Sequence, residues 1–201
     1  MIQAVIYDFG NVLCSFRVTS FFEHLARRST CTVDQLQGLM PEISHLAIEY
    51  ESGRMTSQQF FRDFSALARI SVTEEEFITS YTTIFTPIDG TFDAIRRLTG
   101  RYRLGLLSNT NEWHFIHSIR PVAVFPLFDA VTLSYEVGAM KPASVIYEDM
   151  LKKLRVPADA CVYFDDIQEN VDAGTRAGMQ ARLFTTAEGM QADLAALGVT
   201  I

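Results

Sequence analysis

Five short apolar runs set the tightest limit on what this chain folds into: Ala4–Tyr7, Tyr102–Leu107, Ala130–Leu133, Cys161–Phe164 and Ala181–Phe184. None shows strict polar alternation, the mark of a strand with one wet face. Strands buried on both faces read this way, and they belong to parallel sheets covered by helices. Stretches of helical character precede three of the runs. "GTFDAIRRLTG" comes before the second, "KPASVIYEDMLKKL" before the fourth and "ENVDAGTRAG" before the fifth, with Pro142 suited to a first helical position. The alternation predicts an α/β fold, doubly wound on a mainly parallel sheet of five or more strands.

One interval breaks the rhythm. Residues 8–101 separate the first two runs, although a crossover between parallel strands needs only about a dozen residues. This interval is not linker-like. It holds three capping-box patterns, Thr32-x-x-Gln35, Thr56-x-x-Gln59 and Thr73-x-x-Glu76, and Phe60, Phe64 and Leu67 follow the second at helical spacing. The expectation is a helical insert over residues 15–88, capping the carboxyl edge of the sheet, with residues 1–14 and 89–201 forming the α/β core.

Composition narrows the partners. With 201 residues, 48% of them hydrophobic and 20% charged, the chain is an ordinary globular one with enough length for a full core. The net charge is -7 and no basic run occurs, so neither nucleic acid nor an anionic membrane surface is expected as a partner. Cys14, Cys31 and Cys161 are odd in number, far apart and without metal spacing, which fits a reducing compartment. No signal-peptide pattern and no apolar run of about 20 residues appears, so a cytoplasmic protein is expected, as a monomer or a small homo-oligomer.

The chemistry-bearing residues follow the strands. Asp8 ends the run "AVIY", Ser108 and Asn109 follow "LGLL", and Asp165 and Asp166 follow "CVYF". Open parallel sheets bind ligands just outside the carboxyl ends of their strands. With these strands adjacent, one edge carries three carboxylates and a hydroxyl, with Lys141 nearby. Three carboxylates in one cleft repel, and one lysine does not balance them. A divalent cation does, and all-oxygen ligands favour Mg²⁺ over zinc. Mg²⁺, a lysine and a serine hydroxyl together suit a phosphoryl group under attack by a carboxylate.

Four stretches in order, "YDFGNVL", "LLSNTN", Lys141 and "YFDDIQEN", resemble the four motifs of the haloacid dehalogenase-like (HAD) superfamily, which has a Rossmann-like core. "GAMKPASVIYEDMLKKL" and "VYFDDIQENVDAGTRAGM" resemble the subgroup containing bacterial glucose-1-phosphate phosphatase and the amino-terminal phosphatase domain of soluble epoxide hydrolase, whose members carry a helical cap between the first two motifs. The resemblance implies a Mg²⁺-dependent phosphatase of a small phosphorylated metabolite, a sugar phosphate foremost. It makes Asp8 the nucleophile that becomes an aspartyl-phosphate. Asp8, the Gly10 carbonyl and Asp166 hold Mg²⁺ in this scheme, and Ser108 and the Asn109 amide hold phosphoryl oxygens. Lys141 pairs with both the phosphoryl group and Asp8, Asp165 is a ligand or an acid behind the ligands, and Asn170 steadies their loop.

The chain departs from the pattern at Gly10. Most phosphatases of the superfamily carry an aspartate there as general acid and base, a function worth about 10²–10⁴ in rate. Three explanations stay open: a substrate with a good leaving group, a substitute such as Asn11, His24, His45 or Glu49, or loss of turnover. Two other functions compete. One is a dehalogenase attacking carbon, which needs no Mg²⁺. The other is a catalytically weak phosphate-binding protein.

Each signal also has a plain structural reading. Asp8 suits a turn before Gly-Asn, and Ser-Asn-Thr-Asn suits a helix cap. Lys141 suits a solvated site beside a helix start, and Asp165-Asp166 an N-cap pair. All four in family order favour the functional reading. "DFG" also occurs in protein kinases, but no Gly-rich loop or His-Arg-Asp loop accompanies it. His114 and His117 lack a third metal ligand, so packing or surface roles are expected. In "EYESGRMTSQQFF", which resembles a turn in caps of this family, Gly53 ends one helix and Thr56 starts the next; Glu51 or Arg54 facing substrate is the alternative to the structural turn expected here.

Overall fold

The computed structural model describes residues 1–201. Its main sheet has five strands, all parallel. They are β1 (Ala4–Tyr7), β4 (Arg103–Ser108), β5 (Ala130–Leu133), β6 (Cys161–Asp165) and β7 (Gln180–Leu183), in the order β5-β4-β1-β6-β7. A short antiparallel pair, β2 (Cys14–Phe16) with β3 (Phe85–Pro87), lies outside it. The five runs all become strands, with ends shifted by a residue for three of them. From β1 the chain winds to β4 and β5 on one side and to β6 and β7 on the other. The switch between the two directions therefore falls at the carboxyl end of β1, where such sheets open a ligand crevice.

Helices cover both faces. Val5 and Tyr7 point with Leu104, Leu106, Val162 and Phe164 into one core layer, which α6 (Asp89–Leu98) and α11 (Ala187–Ala196) close. Ala4 and Ile6 point the other way, with Leu107 and Tyr163, beneath α9 (Ser144–Leu154) and α10 (Gln168–Arg176). Alternate residues of each strand thus feed opposite layers, and both layers are apolar. The second layer needs a glycine: a Cβ at Gly105 would stand 2.9 Å from Met150 Sδ on α9.

Between β2 and β3 the chain forms α1 (Thr19–Ala26), α2 (Val33–Gly38), α3 (Met40–Glu51), α4 (Ser57–Ala68) and α5 (Glu74–Thr82). All three expected capping boxes are present, starting α2, α4 and α5, each with the threonine and the residue three positions later bonded reciprocally. Their apolar faces meet in a separate aromatic core of Phe21, Phe60, Phe64, Phe77 and Tyr81. Trp113, from the turn α7 (Glu112–His114) after β4, packs into it, so an element of the main body helps to seat the inserted helices.

One expectation changes. Pro142 does not begin a helix. The chain stays irregular through Ala143, the cap residue, and α9 starts at Ser144, which leaves Lys141 in the loop before it. After α7 the helix widens into a π-turn over Phe115–Ile119. His114, just before it, is buried and His117, within it, is exposed, the packing and surface roles expected of them. The three cysteines are free. No helix is long and apolar enough to cross a membrane.

Candidate active site

Parallel register brings the chemistry together. Tyr7 pairs with Leu106 on one side and Phe164 on the other, so the residues after them, Asp8, Leu107 and Asp165, fall level at the crevice. Lys141 reaches this level from its loop. Its Nζ stands 2.8 Å from Asp8 Oδ1 and 2.6 Å from Asp165 Oδ2, and it donates to the Leu107 carbonyl at 3.2 Å. All three donor positions of the ammonium are used. The lysine side chain is 1% exposed, so a solvated lysine is excluded.

Asp165 is saturated by protein. Oδ2 accepts from Lys141 and from the Tyr163 hydroxyl. Oδ1 accepts from the Ile167 amide at 2.9 Å and from Asn170 Nδ2 at 3.0 Å. Asp166 has only one partner, Asn11, whose Nδ2 donates to Oδ2 at 2.9 Å. Asn11 takes the left-handed conformation (φ 52) that aims it there. One oxygen from each of Asp8, Asp165 and Asp166 lies within 4.8 Å of the others. The Gly10 carbonyl accepts no main-chain hydrogen bond. The oxygens left open to a cation therefore belong to Asp8, Asp166 and Gly10.

The electrostatics fit such a cation. Burial pushes the Asp8 carboxyl up to about 7, and the Asp165 charge adds to this against the pull of Lys141. Burial works the same way on Asp165, but Lys141 outweighs it and holds that carboxyl below its ordinary value. Lys141 pays for its burial through Asp8 and Asp165, whose charges hold its ammonium above the ordinary value. One lysine thus satisfies one aspartate and leaves the other short of positive charge.

Ser108 and Asn109 stand beside this group. The nearest partner of Ser108 Oγ is the Asn109 carbonyl at 3.4 Å, a marginal contact that leaves the hydroxyl available. The Asn109 side chain is committed elsewhere. It accepts from the Lys141 amide at 2.7 Å and donates to the Lys141 carbonyl at 3.0 Å, so it clasps the lysine loop and leaves its main-chain N–H for any oxyanion. Asn170 ties Asp165 to α10, and its carbonyl accepts from Tyr147 at 3.0 Å.

A cavity of about 470 Å³ opens from these residues into the inserted helices. The proposed substitutes His24, His45 and Glu49 do not line it. Glu49 instead pairs with Arg54 at 2.7 Å on the surface. Glu51, two residues further along α3, does line it. No hydrogen bond acts on its carboxyl, and burial followed by the Asp8 charge pushes it up to about 7. Its position is fixed from the main body. Ser134 Oγ donates to the Glu51 carbonyl at 2.6 Å and accepts from the Thr110 amide at 2.8 Å. Of the two readings of Glu51, the sequence favours the structural turn over a residue facing substrate; the end of α3 is tied to the main body by this tertiary link, which no local pattern reports.

Fold and site together define a class: a doubly wound α/β hydrolase whose sheet edge holds two aspartates bridged by a buried lysine. Residues 2–178 match the haloacid dehalogenase-like hydrolase family, and the chain belongs to it. It is similar to D-ribitol-5-phosphate phosphatase of Bacteroides thetaiotaomicron, 25% identical over 189 residues that cover 90% of each chain. It is also similar to glyceraldehyde 3-phosphate phosphatase of Methanothermobacter thermautotrophicus, 29% identical over 223 residues that cover 100% of this chain and 95% of the other. Its fold matches a HAD family enzyme of Bacteroides thetaiotaomicron solved with magnesium and inorganic phosphate, with a TM-score of 0.80 at 19% identity over 92% of this chain and 96% of that one.

Proposed function

We propose that this chain is a Mg²⁺-dependent phosphatase of a small phosphomonoester, with residues 15–88 acting as a cap over the α/β core. The observation that carries the reading is Lys141 held between Asp8 and Asp165, with Asp166 and Ser108 beside them. Asp8, Asp166 and the Gly10 carbonyl would hold Mg²⁺, which supplies positive charge against the phosphoryl oxygens. The Ser108 hydroxyl and the Asn109 main-chain N–H bind the same oxygens, and Lys141, held by its three protein acceptors, adds its charge from beside Asp8. The free Oδ of Asp8 attacks phosphorus, the ester P–O bond breaks, and an aspartyl-phosphate forms.

Glu51 takes the place of an acid at position 10. Its carboxylic acid gives a proton to the departing oxygen, and its carboxylate then takes one from the water that attacks the aspartyl-phosphate, releasing phosphate and restoring Asp8. Phosphatase activity in the two named relatives supports the reaction class, and a sugar phosphate is one substrate of that class. The test is phosphate release from acetyl phosphate and p-nitrophenyl phosphate with and without Mg²⁺. Activity that needs Mg²⁺ and disappears in Asp8→Asn is expected; phosphate release that survives chelation would remove Mg²⁺ from the reading, and chelator-resistant halide release from a 2-haloacid without phosphate release from either compound would favour carbon chemistry instead. Gly10 favours the reading as a weak phosphate-binding protein, and beryllofluoride trapping on Asp8 without turnover of any ester would support it.

A further inference from the structure

The cavity beyond the phosphoryl site says what kind of alcohol it admits. Its only charged lining residues are Asp8, Asp166, Glu51 and Lys141. The lysine is already engaged with Asp8 and Asp165, so no cation is left for a second phosphate or a carboxylate on the substrate. The neutral polar groups are few. His114 Nε2 is bonded to the Tyr81 carbonyl and Nδ1 to Asn111, both at 3.1 Å. The Tyr81 hydroxyl accepts from Asn111 at 3.1 Å and keeps its own proton to donate. Ser44, Glu51 and the proton of the Tyr81 hydroxyl are what remain on the cap side for a ligand's hydroxyls. The walls themselves are apolar, with Phe22, Ile43, Phe60, Phe64 and Ile84 among them.

The rim carries the same chemistry. Phe16, Val18, Met40 and Ile167 all line the cavity, and they are 45%, 42%, 37% and 52% exposed. Large apolar side chains held in water around the mouth of a pocket are a feature of ligand sites. A polyol set against these walls would give up hydrogen bonds to water that the protein does not replace, at a cost for each hydroxyl buried. An alkyl chain gives up none and gains burial at both wall and rim.

Building on the phosphatase reading, we infer that the cap selects monophosphates of uncharged, apolar alcohols, with a hydrocarbon chain running from the Asp8–Lys141 site along the Phe22–Phe64 wall to the apolar rim. The volume of about 470 Å³ accommodates the phosphoryl group and a chain of several carbons, within the range of small-molecule sites.

Binding tests this without turnover. Asp8→Asn protein with Mg²⁺ is titrated calorimetrically with n-alkyl monophosphates of two to eight carbons and with ribitol 5-phosphate. The expected result is a Kd falling about threefold per methylene up to at least six carbons, with pentyl phosphate bound at least about tenfold more tightly than ribitol 5-phosphate. In Val18→Lys and Met40→Lys, changes at exposed positions, the gain between hexyl and octyl should shrink. A Kd independent of chain length, or tighter binding of ribitol 5-phosphate than of pentyl phosphate, overturns the inference. Acetyl phosphate hydrolysis by the unaltered chain is scored separately. Its absence defeats the phosphatase reading whatever the alkyl series shows, and a flat series beside active hydrolysis defeats only the assignment of the pocket.

Discussion

Lys141 Nζ lies 2.6 Å from Asp165 Oδ2 with both side chains essentially out of water. Asp8 competes for the same ammonium at 2.8 Å. Asp165 thereby holds the lysine in place while four protein donors hold Asp165. Asp165→Asn removes the charge but keeps the shape. Breaking a buried pair of this kind costs about 3 kcal/mol, which urea denaturation should register, together with a fall in turnover of about 10² or more as Lys141 loses its seat.

Asp166 should behave differently. It makes one hydrogen bond, to Asn11, and has an oxygen free. Asp166→Asn is expected to weaken Mg²⁺ binding about tenfold or more by calorimetry, with stability changed by less than about 1 kcal/mol. Asp165→Asn should reverse that ranking, with the larger loss in stability. Equal Mg²⁺ losses in the two variants would make Asp165 a ligand and remove the distinction drawn from its saturated oxygens.

The core was legible in the sequence because burial on both faces writes itself as an unbroken apolar run. The three capping boxes were legible because each is a reciprocal contact within four residues, as at Thr56 and Gln59. Asp8, Ser108, Lys141, Asp165 and Asp166 were found because each stands at a strand end or in family order. What stayed hidden depends on packing between elements. Glu51 facing substrate was only the less favoured alternative to a structural turn, because no motif marks it and the Ser134 bond to its carbonyl that helps place it comes from the main body. Glu49 was favoured over it, yet on the helix the two lie on different faces, and Glu49 meets Arg54 at the surface.

Gly53 is required by its neighbour. Its φ is +70, and a Cβ there would meet the Tyr135 carbonyl at 2.3 Å, a backbone atom that cannot turn away. Gly53→Ala therefore forces the end of α3 off the main body. A loss of about 1–3 kcal/mol is expected by thermal or urea unfolding, with activity reduced as well because Glu51 is two residues away. Gly138→Ala, also at positive φ but with no atom within 4 Å, controls for backbone strain alone and should cost less.

His114 gives the protein a measurable acid sensitivity. Burial pushes its ring down to about 4, and it stacks on Tyr81 with centroids 4.2 Å apart. The unfolded chain takes up this proton near pH 6.5, before the folded one does. Stability from His114 is complete above that pH and declines as the pH falls toward 4, by about 2 kcal/mol at pH 5. Asp8 and Glu51, both raised to about 7, act in the opposite sense, because the folded chain holds their protons more firmly as the pH falls. The difference in unfolding free energy between the unaltered protein and His114→Gln isolates the histidine. That difference should shrink by about 2 kcal/mol between pH 7.5 and pH 5; a constant difference would mean that the ring accepts a proton without cost.

The absence of an acid at position 10 can be tested by rescue. Glu51→Gln keeps the hydrogen-bonding shape and removes the proton donor. Hydrolysis of alkyl phosphates, which need protonation of the departing oxygen, should fall about 10²-fold, while p-nitrophenyl phosphate should lose much less. Gly10 leaves room for the replacement. A Cβ there lies 3.4 Å from Phe16 Cε1, an ordinary contact, and Phe16 is exposed enough to move. In the Glu51→Gln background, Gly10→Asp should restore a substantial part of the lost alkyl phosphate turnover. In the unaltered protein it should add at most about tenfold, because Glu51 already supplies the proton. The alternatives give different patterns. If Glu51→Gln leaves alkyl phosphates untouched, the proton comes from elsewhere. If Gly10→Asp raises their turnover by 10² or more in the presence of Glu51, the natural chain was working without an acid, and Glu51 has no part in the transfer.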